Sequence, residues 1–209
     1  MLFHMSGSEH SRMGFVLAGG KSSRMGMNDK AFLDFRGQTL LHRVLAVLGE
    51  VCGRVSIVGD PAKFSKYGSV VADIFPACGP LAGIHAALIH STAELNLMLA
   101  VDMPFVSREL LVFLFAAAEE SGAIITVPRT SKGFQPLCAI YRRDFSTAAE
   151  QALRAGKYKI DAAFSGLSVR AIEEAELAAA GFTEQSFFNV NTPQDRLAAE
   201  DGGDFDSRS

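Results

Sequence analysis

The strongest constraint in this 209-residue sequence is a glycine-rich segment, residues 17–30, with the sequence LAGGKSSRMGMNDK. It follows a short apolar run, residues 14–17, that predicts a buried strand, and it precedes an amphipathic stretch over residues 38–48 that predicts a helix. Glycines let backbone N–H groups approach an anion closely, and lysine adds a compensating charge. The segment therefore predicts a phosphate-binding loop between a strand and a helix.

The spacing of this loop excludes two common phosphate-binding motifs. A Walker loop needs four residues between its first glycine and its Gly-Lys pair. It is excluded here because the pair Gly20-Lys21 directly follows Gly19. The dinucleotide-binding fingerprint is excluded because G-x-G-x-x-G is absent. The segment therefore predicts a phosphate-binding loop of another kind.

Further along the chain, predicted strands and helices alternate. Strands are expected at residues 55–58, 70–71, 97–101, 124–127, 137–141 and 169–172, and helices at 38–49, 81–91, 108–121 and 145–155. Such alternation predicts an α/β fold, a Rossmann-like and mostly parallel sheet with helices on both faces. Ligands of such sheets collect at the carboxyl ends of the strands, where the strand order reverses.

The size of the chain predicts a single domain. We expect a flexible leader over residues 1–13, the domain over 14–198 and a disordered tail over 199–209, which is rich in Gly and Asp. The net charge of −3 argues against nucleic acid as a partner. It leaves room for a nucleotide, which needs only a few local cations.

Cysteine usage and hydropathy indicate the expected compartment. Three scattered cysteines without a C-x-x-C pair predict free, buried thiols in a reducing environment. No apolar run approaches the roughly 20 residues of a membrane span. We therefore expect a cytoplasmic protein that does not contact membranes and acts as a monomer or weak oligomer.

Three charged residues are candidates for phosphate chemistry. Lys30 and Arg24 are the expected phosphate cations, although Arg24 lies in mid-loop and could instead face water. Asp102 ends a strand expected to be buried on both faces, where a carboxylate would meet a metal bound to phosphates. Mg²⁺ favours such hard oxygen ligands. The alternative for Asp102, a helix cap, is weaker because Ser107 is better placed to cap the next helix.

Other candidates leave their alternatives open. Asp73 follows a short strand, and it either lies near a nucleotide or forms a turn. Gly79 and Gly83 flank the start of a helix, where glycine permits either the close approach of a ligand or a turn of the chain. Asn189 and Asn191 alternate on an extended piece, so both side chains face one way, toward an acceptor or toward turn backbone. Gln135 is a similar case.

The histidines do not predict a metal site. His85 and His90 lie five residues apart, which separates them by about 140° around a helix, unlike the i, i+4 pair of a zinc helix.

Five motifs together resemble one family. The glycine-rich loop resembles the opening motif of nucleotidyltransferases that activate sugars and cofactors with an NTP. The order of the further motifs is similar to that in the molybdenum cofactor guanylyltransferases. These motifs are GPLAGI at 79–84, DMPF at 102–105, QPLCAIY at 135–141 and FNVNTP at 188–193.

The resemblance spans residues 14 to 198 and implies the site in more detail. It implies the fold of the nucleotide-diphospho-sugar transferases, with Lys30 and Arg24 on the phosphates and Asp102 as the magnesium ligand. The implied nucleotide-binding set is Leu17, Ala18, Gly19, Gly20, Lys30, Asp73, Gly79, Gly83 and Asp102. The implied acceptor-binding set is Gln135, Asn189 and Asn191.

The implied reaction is transfer of GMP from Mg-GTP to the terminal phosphate of the molybdenum–molybdopterin cofactor, with release of pyrophosphate. Implied partners are GTP, molybdenum–molybdopterin and proteins that deliver or receive the cofactor. Two alternatives remain: a sister enzyme that transfers CMP to molybdopterin or NMP to a sugar phosphate, and a module that binds nucleotide or cofactor without turnover.

Overall fold

The fold centres on a twisted sheet whose strands and helices alternate along the chain. The structure, a computed structural model, describes residues 12–19, 29–190 and 195. The strands are β1 Arg12–Leu17, β2 Asp34–Phe35, β3 Gln38–Thr39, β4 Arg54–Val58, β5 Ser69–Val71, β6 Leu95–Ala100, β7 Ile125–Thr130, β8 Gly133–Phe134, β9 Cys138–Arg142 and β10 Val169–Ile172. The α-helices are α1 Leu40–Gly49, α2 Pro61–Phe64, α3 Pro80–His90, α4 Arg108–Ser121, α5 Phe145–Arg154 and α6 Glu174–Ala179. Single 3₁₀ turns lie at Lys30–Phe32, Asp161–Phe164 and Glu184–Phe187.

The strand order explains where a ligand can enter. The main path runs β10-β7-β9-β6-β1-β4-β5, with β8 beside β7. β1 pairs in parallel with β4 on one side and with β6 on the other, so the order reverses beside β1. Leu17 lies level with Val58 of β4 and Ala100 of β6. The three carboxyl ends therefore form one shared edge at the switch point of the sheet.

Two apolar layers cover the sheet. One contains the buried faces of α1 and α4 together with Ala31. The other contains the buried faces of α3 and α5. Helices on both faces bury the central strands fully, and β6 has no residue open to solvent.

This architecture confirms the predicted α/β class. Each strand predicted from the sequence corresponds to a strand of the structure. The region 137–141 forms β9, which runs antiparallel to β6 and β7, so the sheet is mostly rather than wholly parallel. The helix expected from residue 38 begins two residues later. Gln38 and Thr39 pair with Asp34 and Phe35 in a hairpin instead, and the Thr39 hydroxyl caps α1 by accepting the His42 N–H.

The boundary of the expected leader needs correction. β1 begins at Arg12, so the last two residues assigned to the leader, Arg12 and Met13, are part of the sheet. The Arg12 guanidinium pairs with Glu119 at 2.6 Å and lies 4.5 Å from the centre of the Phe115 ring. Cation and ring contacts of this kind fix the start of the strand against α4. The rest of the leader and the tail, 199–209, lie outside the described residues.

Among the helices in the described part of the chain, none is both long enough and apolar enough to cross a membrane.

Candidate active site

A cavity of about 530 Å³ opens at the carboxyl ends of β1, β4 and β6. Its walls come from the glycine-rich loop, the start of α3, the segment after β6 and the chain beyond α5. The residues that line it are Leu17, Ala18, Gly19, Asp29, Lys30, Val58, Asp73, Ala77, Cys78, Gly79, Pro80, Gly83, Ala100, Val101, Asp102, Leu137 and Tyr158. A cavity of this size suits a nucleotide.

Lys30 and Asp102 face each other in this cavity. The Lys30 ammonium nitrogen lies 3.8 Å from a carboxylate oxygen of Asp102. Burial raises the pKa of the Asp102 carboxyl above its ordinary value, and the charge of Lys30 offsets part of that increase. A phosphate chain beside this pair would meet both a cation and a partly desolvated oxygen ligand.

A short 3₁₀ turn positions Lys30. Asp29 caps the turn by accepting the Ala31 N–H at 3.1 Å, and its carboxylate forms an ion pair with Lys63 of α2. Ala31 is fully buried in the layer that contains α1. The turn is therefore held by a cap, an ion pair and an apolar anchor, and Lys30 at its first position reaches the cavity.

Asp102 lies two residues beyond the end of β6, and its main chain is fixed on two sides. The Met103 N–H donates to the Ala100 carbonyl at 3.3 Å, and the Val190 N–H donates to the Asp102 carbonyl at 2.8 Å. The capping role considered as an alternative belongs to Ser107, whose hydroxyl accepts the Leu110 N–H at 3.3 Å and starts α4. The Asp102 side chain is thus left for the cavity.

Asp73 and the two glycines of the 79–84 motif form the opposite wall. The Asp73 carboxylate lies close to Gly83 and Gly19, within 3.7 and 4.0 Å of where a β-carbon would stand at each. Gly79 has φ 78° and ψ −166°, a conformation essentially restricted to glycine, and it stands directly before Pro80 at the start of α3. Gly83 has a different role: a β-carbon there would lie 3.2 Å from Val58, so glycine allows α3 to pack closely on the sheet.

The strand-end segment of the loop uses part of its backbone inside the fold. The Ala18 N–H donates to the Val58 carbonyl at 3.0 Å, and the Leu17 carbonyl accepts the Val101 N–H at 3.2 Å. A base contact by residues 17–19 must therefore use other backbone groups of this segment. The same bonds hold the floor of the cavity in place.

The two predicted acceptor residues that the structure describes, Gln135 and Asn189, lie apart from the cavity lining. The Gln135 amide nitrogen donates to the Thr130 hydroxyl at 3.1 Å, which ties down the β7–β8 hairpin. Asn189 is exposed and directly precedes Val190, the residue bonded to the Asp102 main chain. Asn189 is thus attached to the Asp102 end of the site, whereas Gln135 stabilises a neighbouring turn.

Three predicted residues, Gly20, Arg24 and Asn191, lie outside the described residues. The other eight members of the predicted nucleotide-binding set line one cavity.

The structure also adds cavity residues that sequence reasoning missed. Asp29 stands beside Lys30 in the opening motif, so its position was a usable signal. Cys78 had a similar signal, since it directly precedes Gly79, whereas Tyr158 had none, because it comes from the chain beyond α5 and only tertiary structure brings it here. Cys78 is half-buried at the cavity, which corrects the expectation that all three thiols are buried; Cys52 and Cys138 are buried.

The carboxylates of the cavity fit a magnesium ion shared with a substrate. Asp29, Asp73 and Asp102 all line it, yet within the described residues no three His, Cys, Asp or Glu side chains are grouped closely enough to hold a metal by themselves. Mg²⁺ typically uses one or two carboxylates together with substrate phosphates and water. The partly desolvated Asp102 carboxylate beside Lys30 is a candidate for such a ligand.

Comparisons with known proteins agree with this site. The family model of the MobA-like NTP transferase domain matches residues 14–170. A probable molybdenum cofactor guanylyltransferase from Pelotomaculum thermopropionicum is 39% identical over 188 residues, covering 89% of this chain and 90% of the relative. The molybdenum cofactor guanylyltransferase from Desulfosudis oleivorans is 34% identical, covering 90% and 93%.

A solved structure shares the fold. The crystal structure of molybdopterin-guanine dinucleotide biosynthesis protein A from Archaeoglobus fulgidus superposes with a TM-score of 0.78 at 30% identity. The match covers 90% of this chain and 97% of that one.

Proposed function

Because the chain belongs to the family of MobA-like NTP transferases, we propose that it transfers GMP from GTP to the terminal phosphate of the molybdenum–molybdopterin cofactor. In this reaction an oxygen of the acceptor phosphate attacks the α-phosphorus of GTP. A new phosphoanhydride bond forms, the bond between the α- and β-phosphates breaks, and pyrophosphate leaves with the electron pair.

The observation that supports this proposal most strongly is the Lys30–Asp102 pair. Two motifs about 70 residues apart along the chain place a cation and a carboxylate 3.8 Å apart in a nucleotide-sized cavity. A phosphate acceptor is already an anionic nucleophile, so the site needs no strong general base. Positioning and charge neutralisation supply the catalysis instead.

The predicted site residues then have the following roles. Lys30 neutralises the charge that develops on the departing pyrophosphate, and Arg24 joins it. Asp102 holds Mg²⁺. When bound, the metal supplies Lewis-acid stabilisation of the phosphoryl oxygens. Asp73, Gly79, Gly83 and the backbone of residues 17–20 enclose the nucleotide.

The acceptor is assigned to the Asp102 end of the site. The hydrogen bond from Val190 to the Asp102 carbonyl holds Asn189 next to the metal ligand, on the chain that continues to Asn191. Neutral amides there can bind the pterin or its phosphate edge without competing with Lys30 for GTP. The Gln135 side chain, whose amide nitrogen is used by Thr130, contributes through the turn that it stabilises.

Pyrophosphate release tests the proposed function. The purified chain is supplied with Mg²⁺, molybdenum–molybdopterin and either GTP, CTP or UTP, alone and in competition. We expect pyrophosphate with GTP and cofactor together, and a much slower release with CTP or UTP. A preference for CTP would identify the cytidylyl-transferring alternative. Binding of GTP without pyrophosphate release would identify a carrier module.

A further inference from the structure

Tyr158 is a large aromatic side chain that the proposed reaction leaves unused. Half of its surface is exposed, 50%, although it lines the cavity together with Cys78, Gly79 and Pro80. It lies four residues beyond the end of α5. Exposed aromatic faces are costly in water unless a ligand or partner uses them.

The two layers of the core show which part of the cavity Tyr158 faces. Ala31, next to Lys30, belongs to the layer that contains α1 and α4. α3, which begins directly after Gly79, and α5, which ends four residues before Tyr158, belong to the layer on the other side of the sheet. The cavity therefore crosses the sheet edge, with the phosphate cation on one side and the aromatic ring on the other. A nucleotide with its phosphates at Lys30 extends its base toward Tyr158.

The wall beside Tyr158 is formed by the loop of residues 73–79. Ala77 has φ 66°, a conformation that residues with a side chain rarely adopt. The Cys78 thiol donates to the Pro76 carbonyl at 3.6 Å. Tyr158 lines the cavity together with Cys78 and Ala77 of this loop.

The same loop is fixed from behind. The Phe75 ring packs edge-on against His85 of α3 at 5.2 Å, and the Arg154 guanidinium at the end of α5 lies 5.7 Å from its centre. Loop 73–79 and Tyr158 therefore share one support, the α3–α5 pair. An aromatic ring in the wall of a cavity offers a planar ligand a surface for stacking.

From this arrangement we infer that Tyr158, which lines the cavity together with Cys78 and Gly79, is the stacking surface for the nucleobase of the bound NTP. The inference rests on the proposed function, because it needs the NTP phosphates at Lys30. A purine offers a larger face to the ring than a pyrimidine, so Tyr158 contributes to the preference for GTP over CTP.

Binding measurements with and without a base test this assignment. Calorimetry compares Mg-GTP with inorganic tripolyphosphate, which has the phosphates but no base, on the parent, Tyr158→Ala and Tyr158→Phe. Base–aromatic stacking predicts that Tyr158→Ala weakens GTP binding about 5- to 150-fold. Tripolyphosphate binding should be unchanged, and Tyr158→Phe should retain most of the GTP affinity. Ile89→Ala, another half-exposed apolar side chain (52%) outside the cavity lining, is the matched control and should bind GTP normally.

Tyrosine fluorescence gives a second readout. The chain has three tyrosines and no tryptophan. Tyr141 is fully buried, and the half-buried Tyr67 packs against Phe32 and His42. Quenching by GTP should therefore come from Tyr158 and disappear in Tyr158→Phe.

Unchanged GTP affinity in Tyr158→Ala, or quenching that persists in Tyr158→Phe, would overturn the stacking role while the parent still binds GTP. If Tyr158→Ala instead raises only the KM for the cofactor, the ring faces the acceptor and the assignment is wrong. If the parent binds neither GTP nor tripolyphosphate, the proposed function itself fails.

Discussion

Lys30 and Asp102 come from distant parts of the chain, and each changes what the other can do. Burial raises the pKa of the Asp102 carboxyl, and the charge of Lys30 opposes that increase. Their separation of 3.8 Å leaves the pair open to competition from a stronger anion and a stronger cation. Phosphates and Mg²⁺ are those competitors, so we expect the pair to separate when Mg-GTP binds.

Asp102→Asn should separate metal chemistry from folding. The substitution keeps the shape and removes a partly buried charge, so the melting temperature should not fall. GTP binding should weaken modestly. Turnover should fall by orders of magnitude, because a bound metal stabilises the transition state by several kcal/mol. Steady-state kinetics and calorimetry measure both effects. Asp144→Asn, at an exposed position outside the cavity lining, is the control. Near-normal turnover in Asp102→Asn would show that Asp102 does not bind the metal.

Lys30→Ala should weaken GTP and tripolyphosphate binding alike, unlike any change at Tyr158. A hydrogen bond to a charged group contributes about 1.5–3 kcal/mol, which corresponds to a loss of roughly 10- to 150-fold in affinity. Turnover should fall further because the leaving pyrophosphate loses its cation. Lys66→Ala, an exposed lysine outside the cavity lining, should change neither quantity. Parent-like binding by Lys30→Ala would place Lys30 outside the phosphate site.

At the scale of elements, hydrophobic periodicity predicted the central strands and long helices because their burial patterns are regular. It failed where local chemistry sets the structure. Gln38 and Thr39 were assigned to the start of a helix, but they form β3 of a hairpin whose turn is made by Arg36 and Gly37, both with positive φ. The strand at 137–141 was found, but its antiparallel direction depends on pairing with β6 and β7, which no local pattern encodes.

The contact between α3 and α5 predicts a pH-dependent stability. His85 of α3 is buried, and neither ring nitrogen has a hydrogen-bond partner among the residues that the structure describes. Burial lowers the pKa of His85; nearby Glu150 opposes this change and Arg154 adds to it. The neutral form is therefore favoured in the folded state. At pH values above about 6.5, the ordinary histidine value, this costs nothing.

As the pH falls below that value, the unfolded chain gains a proton that the folded chain excludes, so stability should fall. The maximal slope for one site is about 1.4 kcal/mol per pH unit. Denaturant unfolding of the parent and of His85→Leu between pH 5 and 8 measures this term, with His90→Leu, at an exposed position, as control. His85→Leu should reduce the loss at low pH; a slope equal to that of the parent would show that other groups cause it.

At the scale of the whole molecule, the site follows from strand order. The end of β1 lies level with the ends of β4 and β6, and this edge gathers eight residues that the motifs had placed in one nucleotide site. Motif order along the chain was enough to predict that grouping. The sequence could not predict the contribution of Tyr158 or the ion pair between Asp29 and Lys63, because these contacts exist only after the helices have packed.

The central claim is that this chain cleaves GTP between the α- and β-phosphates and joins GMP to the cofactor. The most direct test follows radioactive phosphorus from GTP labelled at either the α- or the γ-position, with Mg²⁺ and molybdenum–molybdopterin present. The α-label should appear in the cofactor product and the γ-label in pyrophosphate. The claim is contradicted if the α-label remains in GTP or free GMP, or if the γ-label appears as orthophosphate.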